Sequence, residues 1–123
     1  MTVLIDSWAW IEYFKGTIYG KKSGKYIEGE EEIIISAINV AEIYKFLLKN
    51  NPRESENLIA FVLKASFVIP ITAELALKSA KNRHEKNLGM ADAIVLATAQ
   101  LHNARIITGD DDFKDIDNVE LLK

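Results

Sequence analysis

Four acidic residues lie where their carboxylates could act together on a metal ion. Asp6 and Asp110 each come directly after, or just beyond, an apolar, β-branched run that is predicted to be a buried strand. Asp92 opens an almost wholly apolar segment, and Glu42 lies in the helix predicted after a further strand. Because sites in parallel sheets form beyond the carboxyl ends of the strands, we expect these four side chains to converge.

Convergence of these acids predicts a divalent cation site. Carboxylates that meet without a positive partner repel one another, and some of them would have to stay protonated. A hard cation such as Mg²⁺ removes this cost, because it binds carboxylate oxygens while keeping several of its waters. In addition, a charge in the apolar surroundings of Asp92 should be paired or bind a metal.

Each acid taken singly also has a plain structural interpretation. Asp6 and Asp92 are good N-cap residues for the helices predicted after them. Glu42 could pair with Lys45 on a solvated helix face, and Asp110 could belong to a simple acidic turn. The sequence leaves these interpretations open.

The elements that must position the acids alternate between strands and helices. Strands are predicted at 3–5, 33–35, 67–69, 105–107 and, as an edge strand, 119–121. Helices are predicted at 7–14, 37–49, 52–65 with Asn51 as its cap, 73–86 and 90–102, and part of 21–28 has a weaker helical pattern. This alternation predicts an α/β fold in which helices cover both faces of a central parallel sheet of four to five strands.

Length and composition limit the possible functions. The chain has 123 residues, 49% hydrophobic and 27% charged, which is typical of one globular domain spanning 1–123. With no cysteine and only two histidines, it can form no thiolate metal site, cysteine nucleophile or three-histidine site. Its net charge of −3 requires that any nucleic acid be bound by a local basic patch. Neither a membrane span nor a signal peptide is apparent, so we expect a cytoplasmic protein.

Two other motifs are incomplete. The run Gly20–Tyr26 has too few residues between its glycines for a phosphate-binding P-loop, and a tyrosine follows its last lysine. His84 and Glu85 begin like the helix of a zinc protease, but Leu88 stands where the second histidine ligand is required. The acids therefore remain the best candidates for chemistry.

The order of the four acids resembles the acidic quartet of the PIN domain family. The short motifs around three of them are also similar to those of the family. They are Ile5-Asp6-Ser7, Ala91-Asp92-Ala93 followed by Ala97-Thr98-Ala99, and the run Thr108–Phe113. The similarity covers essentially the whole chain. Its length resembles that of the small VapC-type toxins of toxin–antitoxin pairs.

This resemblance implies a PIN-like three-layer α/β/α sandwich and a metal-dependent ribonuclease. By carry-over, one or two Mg²⁺ or Mn²⁺ ions would be held by Asp6, Glu42, Asp92 and Asp110. Asp112 matches a more variable fifth acid, and Ser7 and Thr108 match hydroxyls that family members place beside the acids. Hydrolysis of the RNA would leave a 3′-hydroxyl and a 5′-phosphate.

Four acids also repel RNA, so a basic rim is expected beside them. The candidates are Lys45 and Lys49 near Glu42, the residues Lys21, Lys22 and Lys25, and Arg83, His84 and Lys86 at a predicted helix end. The last set would equally suit the helix dipole.

Partners are indicated by the first helix and by the resemblance. Trp8, Trp10, Tyr13 and Phe14 are more aromatic residues than one buried stripe requires, and an exposed remainder would mark a partner surface. The VapC-type resemblance implies an antitoxin protein and a homodimer. Three functions stay open: a toxin endoribonuclease, a PIN nuclease of RNA maturation or decay, and a non-catalytic PIN-like module that binds RNA or protein.

Overall fold

The computed structural model describes residues 1–123 and contains five strands and six α-helices. The strands are β1 (Thr2–Ile5), β2 (Glu32–Ser36), β3 (Phe67–Ile69), β4 (Arg105–Thr108) and β5 (Val119–Leu121). The helices are α1 (Ser7–Lys15), α2 (Ile18–Ile27), α3 (Ala37–Asn50), α4 (Ser55–Ala65), α5 (Ala73–Lys86) and α6 (Met90–Leu101). A short 3₁₀ helix, Asp111–Phe113, follows β4.

All neighbouring strands in the sheet are parallel, in the order β3-β2-β1-β4-β5. From the central β1 the chain moves to one side for β2 and β3, and it then crosses to the other side for β4 and β5. Ile5 at the end of β1 lies opposite Ile107 of β4. The carboxyl ends of β1 and β4 therefore meet where the direction of the connections reverses, which is the usual place for a ligand site in such sheets.

Alternate side chains of the strands pack into two separate cores. Val3, Ile5 and Ile35 lie in a cluster with α1, α3 and α4, whereas Leu4 and Ile34 lie in a second cluster with α6. Helix α5 packs against α6. The predicted three-layer fold with a parallel sheet is thus confirmed. None of the helices is long and apolar enough to cross a membrane.

Helix α2 is longer and better defined than its sequence predicted. Thr17 caps it by accepting a hydrogen bond from the Gly20 backbone, and the preceding Gly16 ends α1 in the left-handed region, with a φ of 71°. A Cβ atom on Gly20 would lie 2.1 Å from the Glu12 carbonyl oxygen, so glycine is required where α2 crosses α1. Gly20 and Gly24, whose spacing does not match a P-loop, thus allow α2 to pack closely against α1.

The predicted start of α4 is wrong. Asn51 does not cap α4; instead, its backbone N–H donates to Leu47 and ends α3. Its carbonyl then accepts from Glu54, so the residues around Pro52 form a turn and α4 begins at Ser55. The side chain of Ser55 donates to the Pro52 carbonyl, which stabilises that turn.

Candidate metal centre

Asp6 is the most deeply buried acid at the carboxyl edge of the sheet. It caps α1, because its Oδ1 accepts a hydrogen bond of 3.0 Å from the Ala9 backbone. Its Oδ2 accepts a 2.6 Å hydrogen bond from the Thr108 hydroxyl at the end of β4. The structural interpretation as a cap is correct for Asp6, and Thr108 lies beside the acid as the resemblance implied. Both carboxylate oxygens therefore already have donors from the protein.

Burial raises the pKa of Asp6 to about 7. The hydrogen bonds from Thr108 and Ala9 oppose this rise, whereas the negative charges of Asp110 and Asp92 add to it. The side chain is only 5% exposed, which accounts for the size of the burial effect. The surroundings of Asp6 thus favour its protonated form.

Glu42 is oriented by two donors that share one of its oxygens. Ser7 Oγ donates to Glu42 Oε1 over 2.9 Å, and Asn39 Nδ2 donates to the same oxygen over 3.2 Å. Oε2 is left without a partner from the protein. The alternative interpretation of Glu42, an ion pair with Lys45, is wrong, since the salt bridges of the structure are Lys15–Glu12 and Arg105–Glu120.

Asn39 is a candidate functional residue that the sequence did not reveal. Its side chain is 1% exposed, and its Oδ1 has no hydrogen-bond partner. An orphaned oxygen at this depth is costly, and the same side-chain geometry lets Nδ2 donate to Glu42. The available signal was spacing, because residues 39 and 42 are three apart and share one helix face.

Three further acids, besides Asp6 and Glu42, lie close to one another. Ligand oxygens of Asp92, Asp110 and Asp112 all lie within 4.8 Å of one another. We refer to these residues as the three-acid group. Asp110 Oδ1 caps the 3₁₀ helix by accepting from the Asp112 backbone, and the Asp110 backbone donates to Thr108 Oγ1 over 3.0 Å. The turn interpretation of Asp110 is therefore correct as far as it goes, and the turn itself brings Asp112 to Asp92.

Asp92 does not cap α6, contrary to its structural interpretation. Gly89 occupies the N-cap position, which places Asp92 within the first turn. The pKa of Asp92 is raised to about 7, first by burial and then by the charges of Asp110 and Asp112, a hydrogen bond to Asp112 and the charge of Glu42. No lysine or arginine forms a salt bridge with any of these acids.

The three-acid group fits a hard divalent cation. It offers carboxylate oxygens, which Mg²⁺ and Mn²⁺ prefer, close enough to contact one ion. The mutual repulsion that raises the Asp92 pKa is the cost that such a cation would remove. Asp6 and Glu42 lie outside the group but near it. The charge of Asp92 raises the pKa of Asp6, and the charge of Glu42 raises the pKa of Asp92.

The basic residues expected at the rim are exposed, and they lie at different places. Lys86 at the end of α5 lines a small pocket together with Asp112 and Lys114. Lys45 and Lys49 lie on α3 beyond Glu42, and Arg83 lies on α5. Lys114 was not among the predicted rim residues, although it follows the acidic turn directly.

Comparison with known proteins identifies the family. The model of the PIN domain family matches residues 3–119. The fold is similar to that of a chain in a toxin–antitoxin complex from Klebsiella pneumoniae, with 29% identity, a TM-score of 0.84 and coverage of 98% of both chains.

More distant structures share the fold. For VapBC2 from Rickettsia felis bound to a promoter DNA fragment, the identity is 20%, the TM-score 0.76 and the coverage 98% of this chain and 97% of that one. For VapC20 from Mycobacterium tuberculosis, a toxin that cleaves the sarcin–ricin loop, the identity is 16% and the TM-score 0.76, with coverage of 97% of this chain and 98% of that one. A search among curated proteins gives no match. Since the family model covers nearly the whole sequence, this chain belongs to the PIN domain family.

Proposed function

We propose that this PIN domain is a Mg²⁺- or Mn²⁺-dependent endoribonuclease and the toxin of a toxin–antitoxin pair. The observation that carries the proposal is the three-acid group at the switch point of the sheet, which has no positive partner in the protein. Acids that only capped helices or formed surface ion pairs would not be gathered so closely at a cost to one another.

The residues of the site have distinct parts in this reaction. Asp92, Asp110 and Asp112 would hold one or two cations, with Glu42 and Asp6 completing the acidic site. When bound, such cations lower the pKa of an attacking water and offset the charge that develops on the phosphate. Ser7 and Asn39 orient Glu42, and Thr108 orients Asp6. The products are expected to carry a 3′-hydroxyl and a 5′-phosphate.

RNA is guided to the acids by the basic rim. Lys86 supports this part of the proposal best, because it shares a pocket with Asp112. We propose that Lys45, Lys49 and Arg83 contact more distant phosphates of the strand. Contacts of this kind weaken with salt, so binding should fall as the ionic strength rises.

An antitoxin is supported by the similar chain of the Klebsiella pneumoniae complex and by an aromatic surface on α1 and α4. Trp10 is fully buried, but Tyr13 and Phe14 are only partly buried, and Phe61 is 42% exposed and stacks on Tyr13 at 6.4 Å. Of the four aromatic residues predicted on α1, none is fully exposed, and Trp8, Tyr13 and Phe14 remain partly accessible. Such side chains are enriched in protein interfaces.

A homodimer is supported by a second apolar surface at the edge strand β3. Phe67 is 64% exposed and Val68 41%. Exposed apolar side chains on an unpaired strand edge are a hazard in a monomer unless a second chain covers them. Light scattering of the purified protein, with Phe67→Glu as the disrupting variant, tests this assignment.

The activity is tested by incubating the protein with structured and unstructured RNA in Mg²⁺, Mn²⁺ or EDTA. We expect cleavage that requires the cation, is lost in Asp92→Asn and is retained in Asp117→Asn, an exposed acid outside the site. Induced expression should arrest growth for the wild type and not for Asp92→Asn. Cleavage without growth arrest would favour a nuclease of RNA maturation or decay. Absence of cleavage on all RNAs, or products with a 2′,3′-cyclic phosphate, would contradict the proposed reaction.

A further inference from the structure

Trp8 lies at the lip of the acidic site, next to the turn that carries Asp110. Its ring packs directly on Gly109, where an added Cβ would lie 2.3 Å from ring atoms. Gly109 connects Thr108, which donates to Asp6, with Asp110 of the three-acid group. The indole therefore borders the acids, and it is only partly buried.

Trp8 is part of a surface that combines aromatic rings with cations. The Tyr19 ring lies 5.7 Å from the Trp8 ring, tilted by 55°. The Lys123 ammonium is 5.6 Å from the Trp8 ring centre, and the Lys22 ammonium is 5.8 Å from that of Tyr19. Lys22 also donates to the Leu122 carbonyl over 3.0 Å, which fixes it beside β5. We refer to Trp8, Tyr19, Lys22 and Lys123 as the Trp8 platform.

We propose that the Trp8 platform binds a nucleotide of single-stranded RNA next to the phosphate that is cut, with its base stacked on Trp8. This inference rests on the proposed ribonuclease function and adds a binding subsite to it. The basic rim considered above contacts phosphates only, whereas the platform also has two aromatic rings that are only partly buried. Aromatic rings beside cations are the usual means of holding single strands, because every base has a face that can stack.

Charge favours RNA over a protein strand as the occupant. The acids repel a phosphate chain and the whole protein has a net charge of −3, so the strand needs nearby cations to approach. Lys22 and Lys123 place two positive charges over the rings of Tyr19 and Trp8. Stacking is tolerant of base identity, so the platform positions a nucleotide without selecting its sequence.

Binding is tested by tryptophan fluorescence in the Asp92→Asn background, which keeps the RNA intact. A short single-stranded RNA should quench the emission, and adding Trp8→Phe should abolish the quenching, because the remaining Trp10 is fully buried. Trp8→Leu should weaken binding by roughly tenfold, whereas Trp8→Phe should keep the affinity since it retains a ring. Ile18→Ala, an exposed neighbour of Tyr19, is the matched control and should bind as tightly as the parent.

Cleavage of abasic RNAs by the active protein tests whether the nucleotide stacked on Trp8 lies next to the scissile phosphate. Removing the base at one position next to the scissile phosphate should raise the KM of the wild type about tenfold and leave that of Trp8→Leu nearly unchanged. The platform assignment is overturned if RNA does not quench Trp8, if Trp8→Leu binds as tightly as the parent, or if no abasic position removes the difference between the two proteins. Cleavage without quenching would contradict only the RNA-binding role of the Trp8 platform. Quenching without cleavage would contradict the ribonuclease activity and leave the platform as an RNA-binding surface.

Discussion

Asp6 and the three-acid group lie at the same edge of the sheet, yet the protein treats them in opposite ways. Asp6 is buried, and both of its oxygens accept hydrogen bonds from the protein. In the three-acid group, Asp92 faces other carboxylates and no positive residue. The fold therefore gives both oxygens of Asp6 a donor, which opposes the rise of its pKa caused by burial. Nothing in the protein opposes the repulsion that acts on Asp92, and a proton or a cation would relieve it.

This difference separates what is structural in the site from what is functional. Asp6 ties the start of α1 to the end of β4 and so fixes the switch point. The three-acid group contributes charge at a position where charge is costly. A substitution that removes charge from the three-acid group should consequently weaken the function while strengthening the metal-free fold. A substitution that removes a hydrogen bond to Asp6 should instead weaken the fold.

The largest effect is expected for Asp92→Asn. Loss of a carboxylate from the three-acid group should lower the rate of cation-dependent RNA cleavage by more than ~100-fold, beyond the range typical of residues that only orient a ligand. Without a cation, the same variant should unfold at a higher temperature than the wild type at about pH 8, because a repelled charge has been removed. Calorimetry in EDTA measures this, with Asp117→Asn as the control. A lower unfolding temperature for Asp92→Asn would contradict the account of the group.

The next effect is expected for Thr108→Val. It removes the hydroxyl that donates to Asp6 and leaves a buried oxygen without a partner, which should lower the free energy of unfolding by ~1–3 kcal/mol. Thr108→Ser keeps the donor and should recover most of this loss. Urea denaturation in EDTA gives both values. If Val and Ser were equally destabilising, the hydrogen bond to Asp6 would not be the cause.

A smaller effect is expected for Asn39→Ala. Glu42 would keep the hydrogen bond from Ser7 but lose one of its two orienting donors, so the affinity for Mn²⁺ should fall about tenfold. Titration calorimetry measures the affinity, and Ser7→Ala should give a change of similar size. Unchanged affinity in both variants would mean that Glu42 takes no part in binding the cation.

A further effect, on stability alone, is expected for pH. The folded protein holds protons on Asp6 and Asp92 up to a pKa of about 7, whereas the unfolded chain releases them near the ordinary value of 3.8. The stability that comes from these protons is therefore complete at low pH and is lost as the pH rises through the interval. In EDTA, the unfolding temperature should fall from about pH 5 to about pH 8, and the slope should be smaller in Asp92→Asn. Unfolding temperatures that rise over this range would contradict the pKa shifts.

Much of the site could be predicted because strand patterns are strong. The runs before Asp6 and Asp110 are apolar and β-branched, and parallel strands bring their carboxyl ends together, so both acids were expected at one edge. Glu42 and Asp92 were expected there from their places on the predicted helices, and the PIN resemblance added Asp112, Ser7 and Thr108. The roles of the acids as cation ligands stay a prediction that the titrations above would test.

The remainder depends on which atoms are already in use, and sequence patterns do not show this. Whether Asp6 or Asp112 joins Asp92 is decided by the Thr108 hydroxyl and by the turn that caps on Asp110. The bond from Asn39 to Glu42 depends on one rotamer on α3. The wrong start of α4 has a similar cause, since the Asn51 backbone closes α3 before its side chain can cap the next helix.

The most direct test of the central claim is calorimetric titration of Mn²⁺ into the wild type, Asp92→Asn and Asp117→Asn near neutral pH. If the three-acid group is built for a divalent cation, the wild type and Asp117→Asn will show saturable binding, and Asp92→Asn will show almost none. Equal binding by Asp92→Asn, or no binding by the wild type, would contradict the claim and favour a PIN module without metal-dependent activity.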